Sequence, residues 1–156
     1  MPHRILRDTW QMQYRRMRRS RQAINTGYSN SEAHDDAVYH FFLDAWHLKN
    51  WLESDPAVPK EKQATINGMA LAYPALRAAR EIANGAKHLE LNDDGPPDHA
   101  TTSFVERELI VPIVGPHNVK NVHRYLVDGT TMTVSEIADR ILDDWDSLLA
   151  RLGLQT

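Results

Sequence analysis

Two histidines and an aspartate lie at helical spacing in the segment around residue 40. His40, Asp44 and His47 are separated by four and three residues, so they would share one face of a helix, at the edge of its apolar side. A carboxylate between two imidazoles can hold one tautomer, raise the basicity of a histidine or contribute metal ligands. The same arrangement can be a structural hydrogen-bond network, so both interpretations stay open. The segment lacks the glutamate of an HExxH arrangement, and we expect no metal and no cofactor.

A second polar set follows at helical intervals later in the chain. Its members are Arg77, Glu81, Asn84 and His88, with Arg80 and Lys87 beside them. A histidine close to a lysine and an asparagine can move protons near a phosphodiester, while the cations stabilise charge that develops on the phosphate. Asn84-Gly85 is also a helix-end signal, in which case Lys87 and His88 would only complement the helix dipole. These residues therefore permit a catalytic and a structural interpretation.

An arginine-rich segment precedes both sets. Residues 1–21 contain seven arginines and one acid, a charge of +6 in a chain whose net charge is -3. On a helix, Arg15, Arg18 and Arg19 would face away from the apolar stripe. Such a face could contact nucleic acid, an anionic surface or the acidic face of another copy, and the pattern leans towards nucleic acid. The acids expected to form a solvated face on the last predicted helix are Asp143, Asp144 and Asp146.

Hydrophobic periodicity predicts the helices that would carry these residues. We expect helices at Arg4–Ile24 and at Ser29–Glu53, the second behind a Ser29/Glu32 capping box. The region from Lys60 contains Gly68 and Pro74, so it is either one kinked helix or two helices, the second with Pro74 in its first turn and reaching about Leu89. A last helix would run from near Thr133 or Ser135 to Gly153. The apolar stripe of the first helix would comprise Leu6, Trp10, Tyr14, Met17 and Ile24. That of the second would comprise Val38, Phe41, Ala45, Leu48 and Leu52.

Before the last helix, the spacing of apolar residues changes from helical to the alternation that is typical of strands. Phe104–Val114 and Val122–Val127 are rich in β-branched and aromatic residues, as strands are, and Asp128-Gly129 is a hairpin signal before a short strand at Thr131–Val134. The expected fold is therefore mainly α. It is a bundle of four to five helices with a small antiparallel β-meander, at residues 102–134, inserted before the C-terminal helix of a single domain spanning 1–156.

Composition excludes several classes of protein. The chain has 156 residues, of which 42% are hydrophobic and 25% charged, as in a globular domain. No apolar run approaches the roughly 20 residues that cross a bilayer, and no apolar stretch follows the N-terminal arginines as in a signal peptide. The absence of cysteine excludes disulfides, thiolate zinc sites and a cysteine nucleophile. We expect a cytoplasmic protein that does not contact membranes.

The two polar sets, with their neighbours, resemble a known family. The segments Tyr39–Trp51, which contains His47-Leu48-Lys49-Asn50-Trp51, and Ile82–Leu89, which contains Asn84-Gly85-Ala86-Lys87-His88, are similar to a family of bacterial proteins. More distantly, they resemble the HEPN superfamily of helical bundles. The resemblance covers roughly residues 31–90. It implies a helical, often dimeric protein, and the superfamily includes metal-independent ribonucleases of toxin and defence systems as well as inactive binding modules.

The resemblance also implies roles for particular residues. Asn84 and His88 match the polar residue and the histidine of the family's catalytic pattern, whereas Ala83 stands at its arginine position, so Arg80 or Arg77 would supply the cation. We expect a domain that engages single-stranded RNA or a nucleotide, with endoribonuclease activity as one outcome. The expected catalytic residues are His88, Lys87, Asn84 and Arg80, and the expected binding residues are His40, Asp44, His47, Arg77, Arg15, Arg18 and Arg19. The alternative is a non-catalytic interaction or dimerisation module in which histidine, aspartate and asparagine form a buried network.

Overall fold

The computed structural model describes residues 8–24, 31–88, 103–110, 120–127 and 129–156. For residues 31, 86–88, 103–110 and 120–123 it describes the backbone alone. These residues form a mainly helical fold with an antiparallel β-meander directly before the last helix, which confirms the predicted fold class. The helices are α1 (Trp10–Ile24), α2 (Ser31–Ser54), α3 (Lys60–Leu71), α4 (Pro74–His88) and α5 (Val134–Arg151). The strands are β1 (Ser103–Ile110), β2 (Lys120–Val127) and β3 (Thr130–Thr133).

The helix α2 lies at the centre of the core and packs against α1, α3, α4, α5 and β2. Its predicted apolar stripe is buried throughout, and Phe42, which lies beside this stripe, is also buried. The Phe42 ring contacts the Tyr125 ring of β2 edge to face, with centroids 6.3 Å apart, which ties the sheet to the helix. In α1, the described members of the predicted stripe are also buried: Trp10, Tyr14, Met17 and Ile24.

The start of α1 differs from the prediction. Asp8 and Thr9 are not helical, so the helix begins at Trp10 and not near Arg4. The Trp10 backbone N–H donates to Asp55 Oδ2 over 2.9 Å, and the Ala57 N–H donates to Asp55 Oδ1 over 2.9 Å. Asp55, which is 3% exposed, therefore caps α1 from the end of α2 and complements its dipole. Leu6, Ser29 and Asp128, used in the predictions, lie outside the described residues.

The third helical region is divided, as one of the two predicted alternatives has it. Gly68 lies inside α3 without interrupting it, and α4 begins at Pro74, whose missing N–H costs nothing in a first helical turn. The next free N–H, that of Ala75, donates to the Asp144 carboxylate of α5. One end of α4 is thus fixed by a neighbouring helix.

The β-meander and α5 form where short-range sequence patterns predict them. The sheet order is β1-β2-β3 with antiparallel pairing, and Gly129 adopts a φ of 78° in the turn between β2 and β3. Thr133 and Glu136 form a capping box at the start of α5. The predicted face of α5 is buried, and Trp145 Nε1 donates to the Ala45 carbonyl over 3.0 Å, which holds α5 against α2. The part of the predicted first strand beyond 110 lies outside the described residues.

Candidate functional site

A groove of about 490 Å³ opens between α1 and α2. Small side chains create it, because alanines stand where larger residues would close the gap between the two helices. The lining residues are Arg16, Ser20 and Ala23 of α1 and Ala33, Asp36, Ala37, His40 and Asp44 of α2. Two of the predicted binding residues, His40 and Asp44, therefore lie in one concave surface.

Asp44 is the acceptor of a hydrogen-bond network that joins α2 to α1. Ser20 Oγ donates to Asp44 Oδ2 over 2.5 Å. Gln13 Nε2 donates to the Asp44 backbone carbonyl over 3.0 Å and lies 3.4 Å from Asp44 Oδ1. Gln13 is 2% exposed, so this network is partly sealed from solvent. Donors on α1 thus engage both carboxylate oxygens, as expected of a structural acceptor.

Arg16 is held in a fixed orientation beside the groove. Its Nη1 donates to Gln13 Oε1 over 2.6 Å, and its Nη2 forms a salt bridge with Asp8 Oδ2 at 3.1 Å. The side chain still exposes 38% of its surface. The guanidinium is therefore oriented by two partners and remains accessible to a ligand.

The predicted His40–Asp44–His47 stripe does not act as one unit. His40 is exposed and not at the edge of the core, because it lies where the groove opens to solvent. Its ring centroid is 5.8 Å from that of Tyr39, with the rings inclined by 52°. His47 is half-buried and interacts with other residues of the fold. Asp36, one turn before His40, is exposed and forms no hydrogen bond or ion pair within the described chain.

The exposed face of α1 is strongly basic, as predicted. Arg15 and Arg19 are exposed, and no acidic side chain of the described residues pairs with either. Arg18 donates to the Tyr14 hydroxyl over 2.6 Å and lies 3.6 Å from Asp146 Oδ2, with 49% of its side chain exposed. We call Arg15, Arg18 and Arg19 the arginine face. Within it, Arg15 and Arg19 are the cations that α5 does not neutralise.

No individual role was predicted for Arg21 from the sequence, because this residue occupies a position of the apolar stripe of α1. It lies between Met17 and Ile24 in that stripe and is 8% exposed. Its Nε forms an ion pair with Asp139 Oδ1 at 2.8 Å. Arg21 therefore ties α1 to α5 and does not belong to the arginine face.

The predicted acidic face of α5 is solvated only in part. Asp146 accepts a hydrogen bond from the Tyr14 hydroxyl over 2.6 Å, and burial, followed by this bond, raises the pKa of Tyr14. Asp144 contacts the start of α4, and burial, reinforced by the charge of Asp143, raises its pKa to about 6. Asp143 and Asp146 are exposed, as expected, whereas Asp144 is half-buried.

The residues of the second polar set lie on α4, and none of the side chains of α4 that the structure describes lines the groove. Arg77 Nη1 donates to the Leu71 carbonyl over 2.8 Å and so closes the end of α3. Arg80 is half-buried and interacts within the fold, whereas Asn84 is exposed. Lys87 and His88 belong to the last turn of α4, and their side chains lie outside the described part of the structure.

The position that matches the family arginine faces inwards. Ala83 is 2% exposed, so its side chain packs into the core. An arginine there would be buried without an evident partner, which is costly. The cation that the resemblance implies is therefore absent from this position.

Four polar residues of the groove and of the Asp44 network were not predicted from the sequence: Gln13, Arg16, Ser20 and Asp36. Gln13 and Ser20 are seven residues apart, two helical turns, so a polar row beside the apolar stripe of α1 was present in the sequence. The role of this polar row follows only from the packing of α1 against α2, because that packing places Asp44 beside it.

Comparison with family profiles, with curated proteins and with solved structures finds no match for this chain. Within the described residues, no three histidine, aspartate or glutamate side chains are placed to hold a metal ion. None of the described helices is long and apolar enough to cross a membrane. Any function must therefore be inferred from the groove, the arginine face and the residues of α4.

Proposed function

We propose that this protein binds single-stranded RNA through the arginine face of α1 and cleaves it without a metal at the end of α4. One observation carries the binding: α1 contains five arginines and no acid, and Arg15 and Arg19 are exposed without an acidic partner among the described residues. The cleavage rests on the sequence pattern of Asn84, Lys87 and His88. A cytoplasmic location and the homodimer implied by the family resemblance belong to the same proposal.

The geometry of the arginine face suits a flexible polyanion. Arg15 and Arg19 are one turn apart, about 6 Å along the helix axis, so they can neutralise neighbouring phosphates of one strand. Such contacts follow the phosphate backbone and do not read bases. A single strand can adapt to this short helical row, whereas the rigid spacing of a duplex constrains its contacts.

Salt-dependent binding tests the role of the arginine face. Each phosphate contact on a single strand contributes about 0.7 to the slope of log affinity against log salt, so Arg15→Ala/Arg19→Ala should lower the slope by about 1.4. Fluorescence anisotropy of a labelled RNA between 50 and 200 mM salt measures it. Arg140→Ala, which removes an exposed arginine from α5, is the matched control and should leave the slope unchanged. Equal slopes for all three proteins would refute the assignment.

Cleavage is tested with His88→Ala. The variant should lose all RNA cleavage, because the proposed general acid–base group is absent, while its thermal unfolding stays within about 2 °C of wild type. The assay is run with and without chelator, since the proposed chemistry needs no metal. Cleavage retained in the variant would rule out His88 as the catalytic histidine.

A second candidate is a non-catalytic interaction module. The observation that favours it is the Asp44 network, in which α1 donors engage both carboxylate oxygens and leave no acid–base role for that group. This protein would bind neither RNA nor nucleotide, and its Asp44 would serve stability alone. Absence of both RNA binding and cleavage at low salt would favour this candidate over the first.

A further inference from the structure

We infer that the groove between α1 and α2 is a base-binding subsite that prefers guanine, placed beside the arginine face. This inference rests on the proposed RNA binding and names the base that the same surface would select. Four features carry it: the position of the groove, its shape, its free carboxylate and its exposed imidazole.

The groove and the arginine face are adjacent on α1. Arg16 and Ser20 line the groove, and they follow Arg15 and Arg19 directly in the sequence. Consecutive helical residues are about 100° apart around the axis, so the two rows run side by side. A strand whose phosphates contact Arg15 and Arg19 therefore passes along the mouth of the groove.

The shape of the groove suits one flat ring system. Its volume of about 490 Å³ falls within the range of small-ligand pockets, roughly 300–1,000 Å³. The alanine side chains provide an apolar wall without bulk, namely Ala23, Ala33 and Ala37. Arg16 is held by Asp8 and Gln13 and still partly exposed, so its planar guanidinium is available to stack on a base.

The two carboxylates that line the groove, those of Asp36 and Asp44, differ in how available they are to a ligand. Asp44 is engaged by Ser20 and Gln13, whereas Asp36 has no partner within the described residues. An ionised carboxylate only accepts hydrogen bonds and has two oxygens to do so. Asp36 is therefore the group that can select a ligand by its donors.

Guanine is the base that matches this acceptor. Its Watson–Crick edge carries two adjacent donors, the N1–H and the N2 amino group, which can bond both oxygens of one carboxylate. Adenine, cytosine and uracil do not present two adjacent donor groups on that edge. His40 lies one turn after Asp36, about 6 Å along α2, where its imidazole N–H can donate to guanine O6. A simple cationic ligand fits less well, because Arg16 lines the same groove.

The test compares single bases within one RNA. Three otherwise identical labelled oligouridylates carry guanosine, inosine or adenosine at one central position, and binding is measured by anisotropy. Inosine lacks only the N2 amino group, so it removes one of the two proposed bonds. For wild type we expect guanosine to be bound about tenfold more tightly than adenosine and about fivefold more tightly than inosine, the low end for a bidentate contact because Asp36 is exposed.

Two variants separate base selection from charge. Asp36→Asn should remove the preference for guanosine over inosine while the salt slope of binding stays at the wild-type value. Asp143→Asn removes the same charge from an exposed position on α5 and should keep the preference. Ala33→Leu, which fills the groove without changing charge, should weaken guanosine binding towards the adenosine level.

The outcomes distinguish this inference from the proposed function. Equal affinity for the three oligonucleotides in wild type, or a preference that survives Asp36→Asn, would overturn the guanine subsite and leave RNA binding in place. Loss of the preference in both Asp36→Asn and Asp143→Asn would show a charge effect and also overturn it. Absence of binding to all three would refute the proposed RNA binding itself.

Discussion

Replacing Asp44 by alanine tests whether this residue is a structural link between α1 and α2. The substitution removes the acceptor of the 2.5 Å bond from Ser20 Oγ and leaves that hydroxyl half-buried without its partner. The bond from Gln13 to the backbone carbonyl of residue 44 is unaffected, because it does not use the side chain. The expected loss is therefore that of one charge-assisted hydrogen bond together with the weaker 3.4 Å contact of Gln13 Nε2 with Asp44 Oδ1, and not that of the whole network.

The magnitude follows from the surroundings of the bond. A hydrogen bond to a charged group contributes about 1.5–3 kcal/mol, and half-burial of both partners places this bond at or below the lower end. We expect Asp44→Ala to lower the free energy of unfolding by about 1–2 kcal/mol. In a chain of 156 residues this corresponds to a fall in melting temperature of roughly 3–6 °C.

Urea unfolding of a double-mutant cycle measures the interaction directly. Asp44→Ala, Ser20→Ala and the double variant should give a coupling energy of about 1 kcal/mol, since each single change breaks the same bond. Asp36→Ala is the matched control, because Asp36 lines the same groove, is exposed and has no described partner. Its effect should stay within about 0.5 kcal/mol. Additive single effects, or an Asp44→Ala cost no larger than that of Asp36→Ala, would refute the structural role.

Two further predictions concern the helix starts. Asp55→Ala removes the acceptor of the buried Trp10 N–H and that of the more exposed Ala57 N–H, so it should cost about 2–3 kcal/mol in urea unfolding; a cost below about 0.5 kcal/mol would contradict the capping role. Burial raises the pKa of Asp144 to about 6, so its carboxyl binds a proton more tightly in the folded state than in the unfolded chain. The contribution of this group therefore stabilises the fold increasingly as pH falls from 7 through 6, and Asp144→Asn should remove that gain. The urea midpoint of the variant minus that of wild type should be larger at pH 7 than at pH 5, and a constant difference would disprove the assignment.

The regular elements were predictable because their signals are local. The buried face of α5 follows from apolar residues at helical spacing, whose relation to the helix axis does not depend on neighbours. The capping box at Thr133 and Glu136 and the positive φ of Gly129 are likewise short-range features. The exposed arginines of α1 were predictable for the same reason, since they lie opposite an apolar stripe.

The start of α1 and the place of Arg21 were not predictable in this way. The cap of α1 comes from Asp55, 45 residues away, so no sequence pattern around Trp10 predicts it. Arg21 lies in an apolar stripe, and only the approach of Asp139 on α5 provides an ion-pair partner at that position. Both features depend on which residues of distant segments meet, which periodicity within one segment does not encode.

The sequence by itself determined that His40 and Asp44 share a helix face and that α1 is basic on one side. Only the tertiary structure decided that this face of α2 meets Gln13 and Ser20 of α1. That meeting makes Asp44 an interhelical acceptor and leaves His40 at the mouth of a groove. The reason is geometric: a sequence repeat gives the direction of a side chain relative to its own helix axis, whereas the packing of two helices decides what lies in that direction.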